Sequence, residues 1–380
     1  MAPRRPALTL GVEEEYLLVD PATRDLVADQ PAGFMACCQE ALGEQVTYEL
    51  LQSQIEIGTV VCQNVQEIRA DLQRLRRTVA EIARAHGMRM IAVSTHPSAS
   101  WDHQHNTDRD RYRLLTQDFQ VLAWRLLVSG MHVHAGIEDG DLRVDLMGQA
   151  TYFLPHLLAL SSSSPFWQGR DTGMKSYRPT VFGDLPRSGL PETFESYREW
   201  QRLVETMAAT GVCDDATKIW WDVRPSWKQP TLELRITDIC TRLEDAVTIA
   251  ALWQSILALL WRLRESNQSW RGYRRVLIQE NKWRAQRWGV GGTLADYGRQ
   301  TMVPFAELID ELVEMLRPEA ESLGCLAEVE HAREIVAQGS SADKQLAVHQ
   351  EALAAGATPV EASRAVVDWL IDATIEGIPS

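Results

Sequence analysis

No CxxC pair occurs among the six cysteines of this sequence, and their spacing, with Cys37 and Cys38 adjacent, has no framework regularity. Neither a disulfide scaffold nor a zinc knuckle is expected, and a reducing cytoplasm fits best. Basic residues are in deficit, 38 against 52 acidic for a net charge of −14, which argues against a nucleic-acid binder. No strand-like segment leads into a glycine-rich phosphate loop, and that counts against a doubly wound nucleotide fold. No uninterrupted apolar run is long enough to span a bilayer. The stretch 246–261 is broken by Gln254 and Ser255 and bounded by Asp245 and Arg262, so it suits a buried helix better than a membrane span. Its Trp253 and Trp261 point to a subunit contact and hence to a homo-oligomer. The opening MAPRRPALTL holds two arginines but no apolar run of signal length, so the protein is expected to stay where it is made. Internal repeats are absent, as is low complexity beyond the serines 161–164.

What is present is ordinary globular material, 45% hydrophobic and 24% charged, long enough for two domains without requiring them. Strand-like segments are short and scattered, at 10–19, 46–61, 88–94, 131–137, 219–223 and 232–237. Between them run helical patterns. Asn64 followed by Glu67 is a capping pair opening a periodic stretch that stops at Gly87. Others cover 108–128, 141–160, 191–210 and 243–264, and the last ninety residues read as entirely helical. The irregular segment 161–190 is long for a structureless connection, and such loops are usually functional. Together these patterns give an α+β fold with helices packed on one mainly antiparallel sheet.

The chemistry gathers on the strands. Residues two apart in a strand share a face, so in GVEEEYLLVD the carboxylates of Glu13 and Glu15 project together and Glu14 projects oppositely beside Val12, Tyr16 and Leu18. SGMHVHAG pairs His132 with His134 in the same way, and TLELRITD pairs Glu233 with Arg235. YELLQSQIEIGT supplies Glu49 and Glu56, seven apart, which converge only if the chain bends. Singly, each pair also suits a solvated edge strand, a core histidine or an ordinary ion pair. Together they offer carboxylates, histidine and arginine on what can be one sheet. Their repulsion is relieved if Mg²⁺ or Mn²⁺ lies between them. Mg²⁺ commonly works with substrate phosphates, which implies a nucleoside triphosphate, and Arg235 can then clamp a phosphoryl oxygen.

At these residues the chain resembles the carboxylate-amine ligases of the glutamate-cysteine ligase type 2 family, relatives of glutamine synthetase. The resemblance runs from Gly11 to about Gly289 and also rests on SSSSPFWQGRDTG and ENKWRAQRWG. It implies a glutamine synthetase-like catalytic fold, a curved antiparallel sheet with helices on its outer side. It further implies that Glu13, Glu15, Glu56, His132 and Glu233 bind two or three Mg²⁺ ions around ATP, with Glu49 counted among the ligands and His134 and Arg235 near the nucleotide. Glu233 and Arg235 are the nominated catalytic pair. Arg284 and Arg287, at i and i+3 of a helix, are candidates for phosphate, though a solvated helix face suits them too. Residues 1–290 are expected to form the ligase region, with 291–380 a helical region packed on the same domain.

The chemistry expected is ATP-dependent amide formation from small-molecule substrates. A substrate carboxylate attacks the γ-phosphorus, and an amine then displaces phosphate from the acyl phosphate. Arg178, Arg187 and Arg224, in loop-like sequence, are candidates for holding a substrate carboxylate bidentately. The resemblance implies glutamate as acyl donor and cysteine or another amine as acceptor. Phosphagen-type phosphotransfer, a metal-dependent hydrolase that uses no ATP, and a non-catalytic binding protein remain as alternatives.

Overall fold

A computed structural model describes residues 5–378 of the chain, and an open seven-stranded antiparallel sheet forms its centre. Its strands are β1 (Leu10–Val19), β2 (Val46–Tyr48), β3 (Gln54–Gly58), β4 (Arg89–Ile91), β5 (Met131–Gly136), β6 (Val223–Pro225) and β7 (Thr231–Leu234). The order across the sheet is β6, β7, β5, β1, β3, β2, with β4 paired to the far end of β1. The first half of the chain supplies helices α1 (Phe34–Leu42), α2 (Val65–Ala85), α3 (Asp110–Phe119), α4 (Val121–Trp124), α5 (Gly140–Ala150) and α6 (Leu154–Ser161). The second supplies α7 (Arg178–Phe182), α8 (Tyr197–Ala209), α9 (Leu243–Glu265), α10 (Arg275–Trp288), α11 (Phe305–Leu323), α12 (Leu326–Gln338), α13 (Ser341–Ala354) and α14 (Pro359–Ile375).

Two faces of β1 do different work. Val12, Tyr16 and Leu18 share a core with Ile68, Leu72, Leu75 and Val79, which recur every three or four residues along α2. Glu14 lies on the same side, wholly enclosed, and is paired with the equally enclosed Arg76 of α2 at 2.5 and 2.9 Å. The Tyr16 hydroxyl also donates to Glu14. Asn64 caps α2 by accepting the Glu67 N–H at 2.9 Å, and the chain leaves the helix through Gly87, whose φ of 77° favours glycine.

Behind the sheet, α9 is buried from Ala246 to Trp261. Among the described residues it is the one helix long and apolar enough to cross a membrane, yet 89% of that window is buried inside the protein. Gln254 donates to the Leu8 carbonyl at 2.8 Å, and Ser255 contacts the Cys325 sulfur at 3.6 Å. Trp253 and Trp261 are 0% and 3% exposed. They belong to the core of a single chain, so the subunit contact read from them is corrected. All six cysteines are free.

Several segments depart from the sequence reading. The helix over 108–128 breaks at Gln120, which takes φ 49° and separates α3 from α4. The one over 141–160 is interrupted by a 3-10 turn, Thr151–Phe153, just before Pro155. In the tail, expected to be all helix, Thr293–Asp296 (β8) and Thr301–Pro304 (β9) form a hairpin, with Asp296 accepting the N–H groups of Gly298 and Arg299 in its turn.

His156 on α6 is buried against Tyr152, Phe153 and Phe305, and that burial pushes its pKa down to about 4. The folded value is below the unfolded one of about 6.5. The unfolded chain therefore protonates first as pH falls, and stability is lost from about pH 6.5 down through 4. In urea unfolding, His156→Leu is expected to remove this part of the slope, on the order of 3 kcal/mol. An unchanged slope in the variant would contradict it.

Candidate active site

Strand pairing gathers the polar pairs onto one face. Glu13 lies opposite His132 across β1 and β5, and Glu15 lies opposite Glu56 across β1 and β3. His134 lies opposite Glu233 across β5 and β7, and Glu233 opposite Arg224 across β7 and β6. Directly opposed residues share a face, so one surface of the sheet carries Glu15, Glu56, Glu13, both histidines, Glu233, Arg235 and Arg224. The bend required between Glu49 and Glu56 is the β2–β3 hairpin, with Glu49 just past β2.

One half of this face is a charge-balanced network. His132 Nδ1 is 3.1 Å from Glu13 Oε2, His134 Nε2 is 3.5 Å from Glu13 Oε1, and His134 Nδ1 is 2.9 Å from Thr231 Oγ1. Burial opposes ionisation of Glu13, but the hydrogen bonds to His132 and His134 outweigh it and hold its pKa well below the usual range. Glu233 is pushed up by burial and pulled down further by Arg235 and Arg224, so it stays ionised. Arg224 grips it at 2.8 and 3.2 Å, and Arg235 donates to it as well. Burial, with the nearby Arg235 charge, lowers His132 to about 4, so its ring is neutral. One oxygen or nitrogen each of Glu13, His134 and Glu233 lie within 4.8 Å of one another. The resemblance had named His132 rather than His134 for this position.

The other half is unbalanced. Glu15, Glu49 and Glu56 approach one another, and burial together with the Glu49 charge raises Glu15 to about 8. Burial and the charges of Glu49, Glu13 and Glu15 raise Glu56 well above its usual value. The Gly130 N–H donates to Glu15 at 2.6 Å. A Cβ at Gly130 would lie 2.4 Å from the Arg178 guanidinium, so any larger residue there would push that guanidinium aside. All-oxygen carboxylate crowding of this kind, with the buried His132 Nε2 nearby lacking a hydrogen-bond partner, suits hard divalent cations.

The nominated arginines separate into groups. Arg178 is buried, donates to the Arg235 carbonyl at 3.2 Å, and leaves its Nε without a partner, as does Arg235. These two line a small cavity together with Lys282 and Asp222. Arg224 gives its remaining donors to the carbonyls of Ala216, Thr217 and Ile219, which makes it a brace for Glu233 rather than a free clamp. Arg187 donates to the Lys218 carbonyl and lies over Trp220. Arg284 donates to Thr293 and stacks on Trp288, while Arg287 donates to the Gly173 carbonyl. Neither lines the cleft or the cavity. Sequence reasoning passed over Lys282, whose Nζ meets Asp222 at 2.6 Å out of solvent. Lys282 lies within the quoted ENKWRAQRWG, but nothing in the local pattern marks its burial.

Beside Glu15, Glu49 and Arg235 opens a cleft of about 380 Å³ walled by α3, the segment after α4, α7 and the stretch around Trp220.

Residues 9–362 match the model of the family described as glutamate-cysteine ligase family 2. A protein of Rhodospirillum rubrum provisionally named glutamate–cysteine ligase 2 is 54% identical over 376 residues, 98% of this chain and 97% of its own. One of Jannaschia sp. with the same provisional name is 51% identical over 364 residues, 96% of each chain. The crystal structure of a glutamate–cysteine ligase from Francisella tularensis in complex with AMP gives a TM-score of 0.66 at 12% identity, covering 100% of this chain and 91% of that one. A bifunctional glutathione synthetase from Pasteurella multocida gives 0.68 at 14% identity, covering 97% of this chain and 53% of that one. At such identities the likeness is one of fold, and the fold is that of the glutamine synthetase-like ligases.

Proposed function

The chain belongs to glutamate-cysteine ligase family 2, a family of carbon–nitrogen ligases, and from that premise we propose that it joins a carboxylate to an amine through an acyl phosphate formed with ATP. Glutamate is the proposed acyl donor, and cysteine or another amine the acceptor. The observation that carries this reading is the convergence of Glu13, Glu15, Glu56, His134, Glu233 and Arg235 on one sheet face. A carboxylate does not react with an amine at neutral pH because oxide would have to leave, so the site must first convert that oxygen into phosphate.

Glu13, His134 and Glu233, with His132 alongside, would hold one Mg²⁺, and Glu15, Glu49 and Glu56 another. Bound there, such ions would supply positive charge to offset the charge of the triphosphate. Arg235, anchored through Glu233, keeps an unpartnered Nε and lines the cavity together with Arg178 and Lys282. These cations are placed to bind anionic oxygens of phosphate or of the donor carboxylate. Arg224 fixes Glu233 in place. No protein nucleophile enters the sequence of steps. Every residue given a role lies within 1–290, and 291–380 acts as support: on α14 the Thr374 hydroxyl accepts the Ala92 N–H directly after β4.

Glutamate labelled with ¹⁸O in its carboxylates, incubated with MgATP and a mixture of amines, is expected to yield ADP and phosphate in equal amounts. Each phosphate carries one ¹⁸O. Unlabelled phosphate, ADP with a phosphorylated product, or turnover without ATP would point respectively to hydrolysis of ATP alone, phosphagen-type transfer and a nucleotide-independent hydrolase, and would end this reading.

A further inference from the structure

We infer, on the ligase reading above, that Asp238 is a positioning residue for the reaction: through Ser164, and through its own charge, it holds the Arg178 guanidinium in place at the cavity that receives anionic oxygens. Asp238 ends the TLELRITD stretch and is wholly enclosed. Its Oδ2 accepts the Ser163 N–H at 2.9 Å and the Ser164 hydroxyl at 2.7 Å. The Ser164 oxygen in turn accepts the N–H groups of Tyr177 and Arg178 at 2.8 and 3.0 Å. A hydroxyl has one donor and two acceptor sites, and all three are used here. With both lone pairs taken by N–H groups, the hydroxyl proton is directed to Asp238. The serine run 161–164 thereby links a buried anion to the start of α7, where Arg178 stands.

Charge makes the same connection. The Arg178 guanidinium lies against Gly130, and the residue opposite Gly130 across the sheet is Asp238. Of the three cations at the cavity, Arg235 is paired with Glu233 and Lys282 with Asp222. Among the described residues Arg178 forms no such ion pair. Burial lowers its pKa, and the charges of Glu15, Asp238 and, more weakly, Asp222 act against that fall. Asp222 is held by Lys282. Glu15, raised to about 8, is mostly protonated at neutral pH without a cation and is committed to the cation once one binds. In either state Asp238 is the anion left to balance Arg178.

The dependence runs both ways. Burial raises the Asp238 pKa, and the Arg178 charge, with the bonds from Ser163 and Ser164, opposes the rise. A buried ion without its counter-charge is costly. An Arg178 deprived of Asp238 therefore settles by moving toward another acceptor or toward solvent, and in doing so leaves the cavity wall it shares with Arg235 and Lys282.

The test titrates full-length protein with L-glutamate and with inorganic phosphate by calorimetry, alongside kcat and the KM values for glutamate and MgATP read from phosphate release. Arg178→Met is expected to weaken one of the two ligands about tenfold, the cost of a lost hydrogen bond to a charged group. Which ligand it weakens tells whether Arg178 meets the donor carboxylate or phosphoryl oxygens. Asp238→Asn keeps the size and an acceptor oxygen, and should weaken that same ligand about fivefold. In the Arg178→Met background it should add nothing, because its effect passes through the missing guanidinium. A merely structural role would lower kcat with the folded fraction and leave KM and the binding constants alone. Ser164→Ala, which changes no charge, should shift the same constant about threefold, and it decides the matter if Asp238→Asn does not fold. Losses that add in the double variant, a shift confined to the ligand that Arg178→Met spares, or unchanged binding in the folded variants would each overturn the inference and leave the ligase reading standing. A wild type that turns over no amine yet binds either ligand would end the ligase reading, with the binding cycle still deciding the role of Asp238. A wild type that binds neither would end the inference.

Discussion

Glu13→Gln is expected to lower kcat/KM by about 10³-fold while leaving the unfolding midpoint nearly unchanged. The side chain is 36% exposed and forms no buried pair with an arginine, so the amide strands no buried cation and the stability lost is limited to its interactions with His132 and His134. Its charge is central to the site, since it meets both histidines and shares the three-atom cluster with His134 and Glu233. The amide keeps the shape and loses the anion. Removing one preorganised charge-stabilising group commonly costs 10²–10³ in rate, and the histidine positions held by Glu13 loosen as well. Nucleotide affinity, measured by calorimetry with and without Mg²⁺, should lose its dependence on the metal. Glu233→Gln provides the contrast. It strands Arg224 and Arg235 in a buried position, so activity and about 3–5 kcal/mol of stability should fall together. A Glu13→Gln enzyme with a near-normal rate would remove the divalent site from the mechanism.

The strands that build this face were legible because alternation is a period-2 signal that survives any tertiary context. Leu10–Val19 is recovered at both ends, and the opposite projection of Glu14 follows from counting alone. Pairing partners were not legible. That Glu13 meets His132 and Glu15 meets Glu56 depends on register between residues 119 and 41 positions apart, which composition does not encode. The same limit explains the arginines. Arg178 and Arg224 looked alike in sequence, two arginines before prolines, yet a free Nε in a cavity and a brace of three carbonyls are outcomes of packing. Lys282 was hidden because a lysine in a polar helical stretch reads as solvated until Asp222 closes over it. The hairpin at 293–304 escaped because four-residue strands flanked by long helices carry too little alternation to register.

Arg76→Met is expected to reduce folding stability by about 3–5 kcal/mol, because it leaves the fully enclosed Glu14 as an unpaired charge. Glu14→Gln should cost a comparable amount: the amide oxygen can still accept from Tyr16 and from Arg76 Nε, but the amide NH2 then faces the Arg76 Nη2 donor and the enclosed guanidinium loses its counter-charge. In Glu14→Leu with Arg76→Met no ion is stranded, so the double variant should be more stable than the sum of the single losses predicts. It should not reach the wild type. Arg76 also donates to the carbonyls of Cys240, Thr241 and Thr374, and each buried acceptor left without a donor costs about 1–3 kcal/mol. Urea unfolding of the wild type, Glu14→Leu, Arg76→Met and the double variant closes the cycle, and strictly additive losses would show that Glu14 and Arg76 are not coupled. The outcome bears on the active site because Arg76 ties α2 to the carbonyls after β7 and to α14, behind the strand whose other face carries Glu13 and Glu15. If that tie only stabilises, the double variant should keep wild-type kcat/KM below its melting temperature. A fall in kcat/KM without unfolding would mean that the buried pair also sets the position of β1, and with it the spacing of the carboxylates on which phosphoryl transfer depends.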